Sequence, residues 1–185
     1  MRKMIVVVVL MVSMLSTGVV FAEEAPQKIK DLATSELAAY GTDAGIIAAV
    51  KAQNAKGITL DAIKAKDEQW KGDAGLADYM KAIVDGSCGP QIRAMQKSKP
   101  YYAEIFVMDN QGANVCMTDK TSDYWQGDEA KFQKSFAGSA GAVFVDEVEF
   151  DDSSQSYLVQ VSVPVIDGGK AIGAITFGID VDKVQ

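Results

Sequence analysis

The chain has 185 residues, a length that suits one domain preceded by a targeting segment. Its 18 basic and 25 acidic residues give a formal net charge of −7, which argues against a nucleic-acid partner because phosphates require a basic surface. The sequence contains no histidine, so Ser-His-Asp and Cys-His catalysis and histidine-ligated zinc are excluded. Since the motifs assemble no other nucleophile–base pair or metal cluster, we expect a protein that is not an enzyme and uses no cofactor.

The first 22 residues have the pattern of a signal peptide. Arg2 and Lys3 precede a long apolar run, and Val20-Phe21-Ala22 offers small residues where a signal peptidase cleaves. We therefore expect residues 1–22 to be removed and residues 23–185 to form one periplasmic domain. The alternative is an uncleaved anchor, because the apolar run is barely long enough to cross a bilayer.

Residues 26–99 carry apolar side chains at helical spacing, which predicts a series of helices. Thr42 or Asp43 can cap the second helix, and Thr59 begins the third. The breaks fall at Gly41, Gly57, Lys71-Gly72-Asp73, Asp85-Gly86 and Pro100.

From Tyr101 onward the pattern changes to short strands separated by turns. A polar, aromatic segment from Thr118 to Phe136 crosses over between the second and third strands. Helices followed by five largely antiparallel strands predict an α+β domain. The expected strands are 102–108, 114–117, 142–150, 157–165 and 170–179.

The last two strands have one apolar and one mixed face, because successive side chains point to opposite sides. We expect the apolar face to pack on the N-terminal helix and the mixed face either to line a ligand pocket or to be solvated. The apolar face holds Tyr157, Val159, Val161, Val163, Val165, Ile175, Phe177 and Ile179. The mixed face holds Leu158, Gln160, Ser162, Ala174, Thr176 and Gly178.

Cys88 and Cys116 are the two cysteines of the chain. Export would permit a disulfide between them. Cys116 lies within a predicted strand and would serve equally as a small buried hydrophobic residue, so the sequence leaves both possibilities open.

Three stretches together resemble a single-Cache domain, the PAS-like (PDC) extracytoplasmic sensor family. The stretch Ile105–Gly112 resembles the strand–Asp-x-x-Gly–strand opening of that family. The stretch Thr121–Glu129, with Phe132 and Phe136, resembles its aromatic segment. The stretch Val163–Asp180 resembles its final hairpin.

This resemblance implies a central antiparallel five-stranded sheet with a long N-terminal helix behind it, additional helices, and a small-molecule pocket in front. Members of the family bind amino acids, amines or carboxylates, mostly as outer parts of chemoreceptors and histidine kinases. This chain ends at Gln185, soon after its last strand. We therefore expect signal transduction through a separate membrane receptor or kinase.

One position departs from the family pattern. Amino-acid-binding relatives with two Cache modules carry an aspartate in the last strand that holds the ligand's amino group. Spacing from Gly173 places Gly178 there, so an amino acid held in that way is not expected.

The candidate ligand-binding residues come from the crossover and the sheet. Tyr124 and Trp125 are large aromatic residues suited to closing a pocket, or else they cap the core. Asp123 beside them would either pair with a cationic ligand or cap a helix. The sheet candidates are Phe106, which shares a strand face with Tyr102 and Glu104, then Asp146, Gln160, Ser162 and Thr176.

The charged candidates point to different ligands. An inward Asp146 would favour an amine, whereas Lys131 and Lys134, if inward, would favour a carboxylate; we expect both lysines on the surface. The leading hypothesis is a periplasmic small-molecule sensor. The alternative is a ligand-free structural or regulatory interaction module of the cell envelope, which a filled core at Gln160, Ser162 and Thr176 would favour.

Overall fold

The computed structural model describes residues 23–151 and 154–184. The predicted signal peptide lies outside them. Helices pack around one antiparallel sheet of five strands, in the order β2-β1-β5-β4-β3, so the α+β prediction is confirmed. The strands are β1 (Tyr102–Met108), β2 (Asn114–Met117), β3 (Phe144–Asp151), β4 (Ser156–Asp167) and β5 (Lys170–Asp180).

The helices precede the sheet, except for one in the crossover. Asp43 caps α2 by accepting hydrogen bonds from the N–H groups of Gly45 and Ile46, and Thr59 caps α3. The α-helices are α1 (Gln27–Ser35), α2 (Ala44–Asn54), α3 (Leu60–Gly72), α4 (Asp78–Val84), α5 (Gly89–Ser98) and α6 (Ala130–Phe136).

The long N-terminal helix implied by the resemblance is divided. Glu36 leaves the helical dihedral region, and a 3₁₀ helix over Leu37–Thr42 separates α1 from α2. Apolar side chains of all three elements nevertheless bury the back of the sheet, as predicted. This back core includes Ile29, Ala33, Leu37, Val159, Val161, Val163, Val165, Ile175, Phe177 and Ile179.

Tyr157 does not join the back core, contrary to the alternation of its strand. Its side chain is 53% exposed, and its ring lies 5.2 Å from that of Phe150, its partner across the β3–β4 hairpin. The strand end at Tyr157 is therefore covered by its neighbouring strand rather than by the helices.

Because of a β-bulge, Tyr102 does not share a face of β1 with Glu104 and Phe106, contrary to the prediction. The register with β5 shifts between Tyr102 and Glu104. Tyr102 consequently packs in the back core, whereas Glu104 and Phe106 lie on the front. One inserted residue is enough to reverse the side on which a side chain lies.

The front of the sheet is covered by α3, α4, α6 and the crossover. A second core there includes Trp70, Met80, Phe106, Met108, Tyr124 and Phe132. In the back core, Cys88 and Cys116 form a disulfide, with Cα atoms 5.8 Å apart, which joins the start of α5 to β2. The question that the sequence left open is thus answered in favour of the bridge.

Candidate functional site

A cavity of about 500 Å³ lies in front of the sheet. We call it the front cavity. Its volume is within the range of small-molecule sites. The sheet supplies Glu104, Phe106, Asp146, Glu147, Glu149, Phe150, Asp151, Leu158 and Gln160; the crossover and α6 supply Lys120, Thr121, Ser122, Gln126 and Lys131.

The register of three strands places Glu104 on the sheet side of this cavity. It pairs with Gly178 of β5, which pairs in turn with Gln160 of β4. The Gln160 amide donates a hydrogen bond to Glu104 Oε1 over 3.2 Å. A Cβ atom at Gly178 would lie 2.6 Å from Glu104 Cγ, so the glycine provides the space for this side chain. The carboxylate at this point of the sheet therefore comes from β1 rather than from β5.

The environment of Glu104 alters its ionisation. Burial raises the pKa of this carboxyl to about 7; the charge of Lys131 partly opposes the shift, and Asp151 adds to it. Close to neutral pH, Glu104 is therefore divided between its protonated and ionised forms. A cation bound beside it would favour the ionised form.

The charges around the cavity are mainly negative. Among the lining residues that the structure describes, five are acidic and two are basic. Lys131 pairs with Glu129 over 2.9 Å, and Lys120 donates to the carbonyl oxygen of Asp73 over 2.8 Å. The excess of acidic over basic lining residues favours a cationic occupant.

Gln126 leaves an acceptor without a hydrogen bond at the cavity wall. The residue is 1% exposed, and its amide Nε2 donates to the carbonyl oxygen of Asp123 over 2.8 Å. Its Oε1 is buried and has no partner among the described residues. An unsatisfied buried acceptor costs about 1–3 kcal/mol, which an N–H donor of a ligand would recover.

The predicted sheet residues divide into two groups. Phe106, Asp146 and Gln160 come together in the lining of the front cavity. Ser162 and Thr176 are fully buried, and their hydroxyl groups hydrogen-bond to each other over 2.7 Å. These two residues fill the front face beside the cavity instead of lining it.

The predicted crossover residues lie away from the front-cavity lining and anchor the segment. Asp67 Oδ1 accepts hydrogen bonds from the backbone N–H groups of Tyr124 and Trp125 over 2.8 and 3.0 Å. Lys71 bridges Asp67 and Asp123 over 2.7 and 3.1 Å. These contacts hold the crossover against α3, and neither Asp123 nor another side chain caps α6.

Two carboxylates, Asp67 and Glu104, were not among the predicted ligand-binding residues, and the exposure of one lysine was predicted wrongly. Asp67 lies between Ile63 and Trp70 at helical spacing, which was a signal for a buried acid, and it is 3% exposed. Glu104 was recognised on its strand face but could not be oriented. Lys131, expected on the surface, has a side chain only 12% exposed and lines the front cavity, because α6 packs against the sheet.

Neither a protein-family model nor a curated protein matches the chain. Several solved structures do. The sensor domain of the V. cholerae histidine kinase DctB aligns at 12% identity and a TM-score of 0.44, covering 84% of this chain and 51% of that one. The sensory domain of the Campylobacter jejuni chemoreceptor Tlp3, with isoleucine bound, aligns at 15% identity and 0.42, covering 76% and 57%.

A third similar structure is the ligand-binding domain of the Pseudomonas aeruginosa PAO1 amino-acid chemoreceptor PctC in complex with GABA. It aligns at 14% identity and a TM-score of 0.39, covering 80% of this chain and 65% of that one. The chain thus spans between half and two thirds of the length of these three proteins. All three are sensory or ligand-binding domains.

Within residues 23–151 and 154–184, no helix has the length and apolar character needed to cross a membrane.

Proposed function

We propose that this chain is a periplasmic sensor domain that binds a small amine cation in the front cavity. The observation that carries the proposal is the half-buried carboxyl of Glu104, which extends over Gly178 to Gln160 in a cavity with an excess of acidic groups. An ammonium group beside this carboxylate would form a charge-assisted hydrogen bond in a partly desolvated site.

Other lining groups suit the same ligand. Asp146 adds negative charge on the β3 side. Phe106 and Phe150 offer aromatic surface for the alkyl part of the molecule. A carboxylate ligand would instead meet five acidic lining residues.

Signal transfer would use the crossover. Thr121, Ser122 and Gln126 line the cavity, so an occupant favours the crossover conformation that closes over it. We propose that a separate membrane receptor or kinase detects this change. The signal-peptide pattern of residues 1–22 supports export, and the Cys88–Cys116 bridge supports an oxidising compartment.

Isothermal titration calorimetry of the purified protein tests the ligand class with three probes of equal chain length: n-butylamine, GABA and butyrate. We expect n-butylamine to bind and Glu104→Gln to weaken its binding at least tenfold. Glu68→Gln, which removes an exposed carboxylate that does not line the cavity, is the matched control and should leave affinity unchanged. Equal affinity of the wild type and Glu104→Gln for n-butylamine would refute the proposal.

The ligand-free interaction module is favoured by one observation, the packed Ser162–Thr176 pair. A filled core would also have included Gln160, but this residue lines the front cavity. If neither the three probes nor a wider set of amines and amino acids binds, the interaction module becomes the better proposal. Capture of one membrane protein by the immobilised wild type would then support it.

A further inference from the structure

A second cavity, of about 390 Å³, lies at the β2 edge of the sheet. We call it the edge cavity. It is enclosed by α2, α3, α4 and β2, and it shares no lining residue with the front cavity. Its lining includes Ala49, Gln53, Lys56, Ile58, Lys66, Tyr79, Ile83, Asn114, Val115 and Tyr124.

The charges of the edge cavity are opposite to those of the front cavity. The described lining contains Lys56 and Lys66 and no acidic residue. Neither lysine forms a salt bridge to a carboxylate of the described chain.

Lys66 is held in a partly buried position. Its Nζ lies 4.3 Å from the ring centroid of Tyr124 and 5.6 Å from that of Tyr79, so the two aromatic faces provide its stabilising contacts. Burial lowers the pKa of Lys66, and the charge of Lys56 lowers it further. A bound anion would oppose both effects, because it compensates lost hydration and screens the second lysine.

Asn114 adds an unsatisfied polar atom to the wall. Its Nδ2 donates to Thr121 Oγ1 and to the carbonyl oxygen of Asp123, over 2.7 and 3.1 Å, which fixes the orientation of the amide. The buried Oδ1 has no hydrogen-bond partner in the part of the chain that is described. Such atoms are rare in native proteins and usually have water or a ligand nearby.

From this combination we propose that the edge cavity binds a small carboxylate through Lys56 and Lys66. The apolar part of the ligand would lie against Ile58, Ile83 and Val115. The volume of about 390 Å³ lies within the range of small-molecule sites. This site is separate from the proposed amine site and does not depend on it.

Calorimetric titration of the purified protein with butyrate at low ionic strength tests the proposal. We expect Lys66→Gln to weaken butyrate binding at least tenfold and Lys66→Arg to retain most of it. Lys64→Gln is the matched control: it removes a lysine of the same helix that also lies over an aromatic ring, that of Trp125, but does not line the cavity. Its butyrate affinity should equal that of the wild type.

A second measurement does not depend on how well the Lys66→Gln variant folds. In the wild type, NMR of the lysine Nζ groups should show that butyrate raises the pKa of Lys66. A pKa of Lys66 that does not move at saturating butyrate would overturn the proposal.

The proposals for the two sites can be tested independently of each other. Glu104→Gln should leave butyrate binding intact, and Lys66→Gln should leave n-butylamine binding intact. Loss of butyrate binding in Lys131→Gln, with normal binding in Lys66→Gln, would place the anion in the front cavity and overturn the edge site. Absence of any butyrate binding by the wild type would overturn it as well.

Discussion

The side chain of Glu104 lies against the backbone of Gly178 on the adjacent strand, where a Cβ atom would come within 2.6 Å of Glu104 Cγ. Gly178 therefore determines whether the carboxyl of Glu104 can occupy the front cavity in its present position. The residue that lacks a side chain is as important for the site as the residue that carries the charge.

Gly178→Ala should displace Glu104 from its hydrogen bond with Gln160. We expect destabilisation of about 1–3 kcal/mol, typical of overpacking, and a clear loss of n-butylamine affinity. Urea unfolding and calorimetry measure the two effects. Gly72→Ala is the control, since no atom would lie within 4 Å of its Cβ. Unchanged amine affinity in Gly178→Ala would contradict the role assigned to this glycine.

Stability should depend on pH through Glu104. Its pKa is raised from the ordinary 4.5 to about 7 in the folded protein, so the folded state binds more protons than the unfolded state between these values. The Glu104 contribution to the free energy of unfolding therefore falls as pH rises from about 4.5 to 7, by at most about 3 kcal/mol.

Glu104→Gln removes this contribution and should make the protein more stable than the wild type at pH 8. At pH 4.5 the two proteins should differ little. Urea denaturation at both pH values provides the comparison. The same difference in stability at pH 4.5 and pH 8 would show that Glu104 does not titrate in this range.

Amine affinity should also depend on the ionisation of Glu104, but it should rise with pH where the stability contribution of Glu104 falls. A carboxyl whose pKa is about 7 is mostly ionised at pH 8 and mostly protonated at pH 6, whereas n-butylamine stays charged throughout. We expect n-butylamine affinity to fall by up to about tenfold from pH 8 to pH 6. Calorimetry at both pH values tests this, and an affinity that is constant or rises toward pH 6 would exclude Glu104 as the counter-ion.

The disulfide should contribute substantially to stability. Cys88 and Cys116 are 28 positions apart, and closing a loop of that length stabilises a protein by about 3–4 kcal/mol in the chain-entropy model. Reductant should lower the urea midpoint of the wild type. The double variant Cys88→Ala/Cys116→Ala should start lower and show no response to reductant; a response of equal size in both would assign the effect to something other than the bridge.

Asp67 should be essential for the position of the crossover. Asp67→Ala leaves the backbone N–H groups of Tyr124 and Trp125 without their acceptor and removes the ion pair with Lys71. We expect a loss of about 2–5 kcal/mol and faster hydrogen exchange at both amides. Glu68→Ala, an exposed neighbour on the same helix, should change stability by less than about 0.5 kcal/mol.

The fold was largely predictable because turn chemistry and alternation mark the strands. The expected first two strands match β1 and β2; the next two differ from β3 and β4 by one or two residues at each end, and the last differs from β5 by one residue. Of the two residues predicted as alternative caps of the second helix, Asp43 is the one that caps it, whereas the break at Glu36 was not predicted.

The site was less predictable because its geometry depends on irregularities that leave no sequence pattern. Alternation alone placed Tyr102 and Glu104 on one face, and the bulge between them separates the two. Ser162 and Thr176 were correctly identified as polar groups of the front face, but only the distance between their hydroxyl groups shows that they satisfy each other. Contacts such as that of Asp67 with Tyr124 join residues 57 positions apart, which periodicity cannot pair.

The stretch from Thr121 to Gln126 forms part of the wall of both cavities: Gln126 borders the front cavity and Tyr124 the edge cavity. An occupant that moves this stretch changes the shape of two compartments at once. Thermodynamic reciprocity then requires that an amine which alters carboxylate affinity by some factor has its own affinity altered by that same factor. A shared wall would make the response of this small domain to one metabolite depend on the level of another of opposite charge.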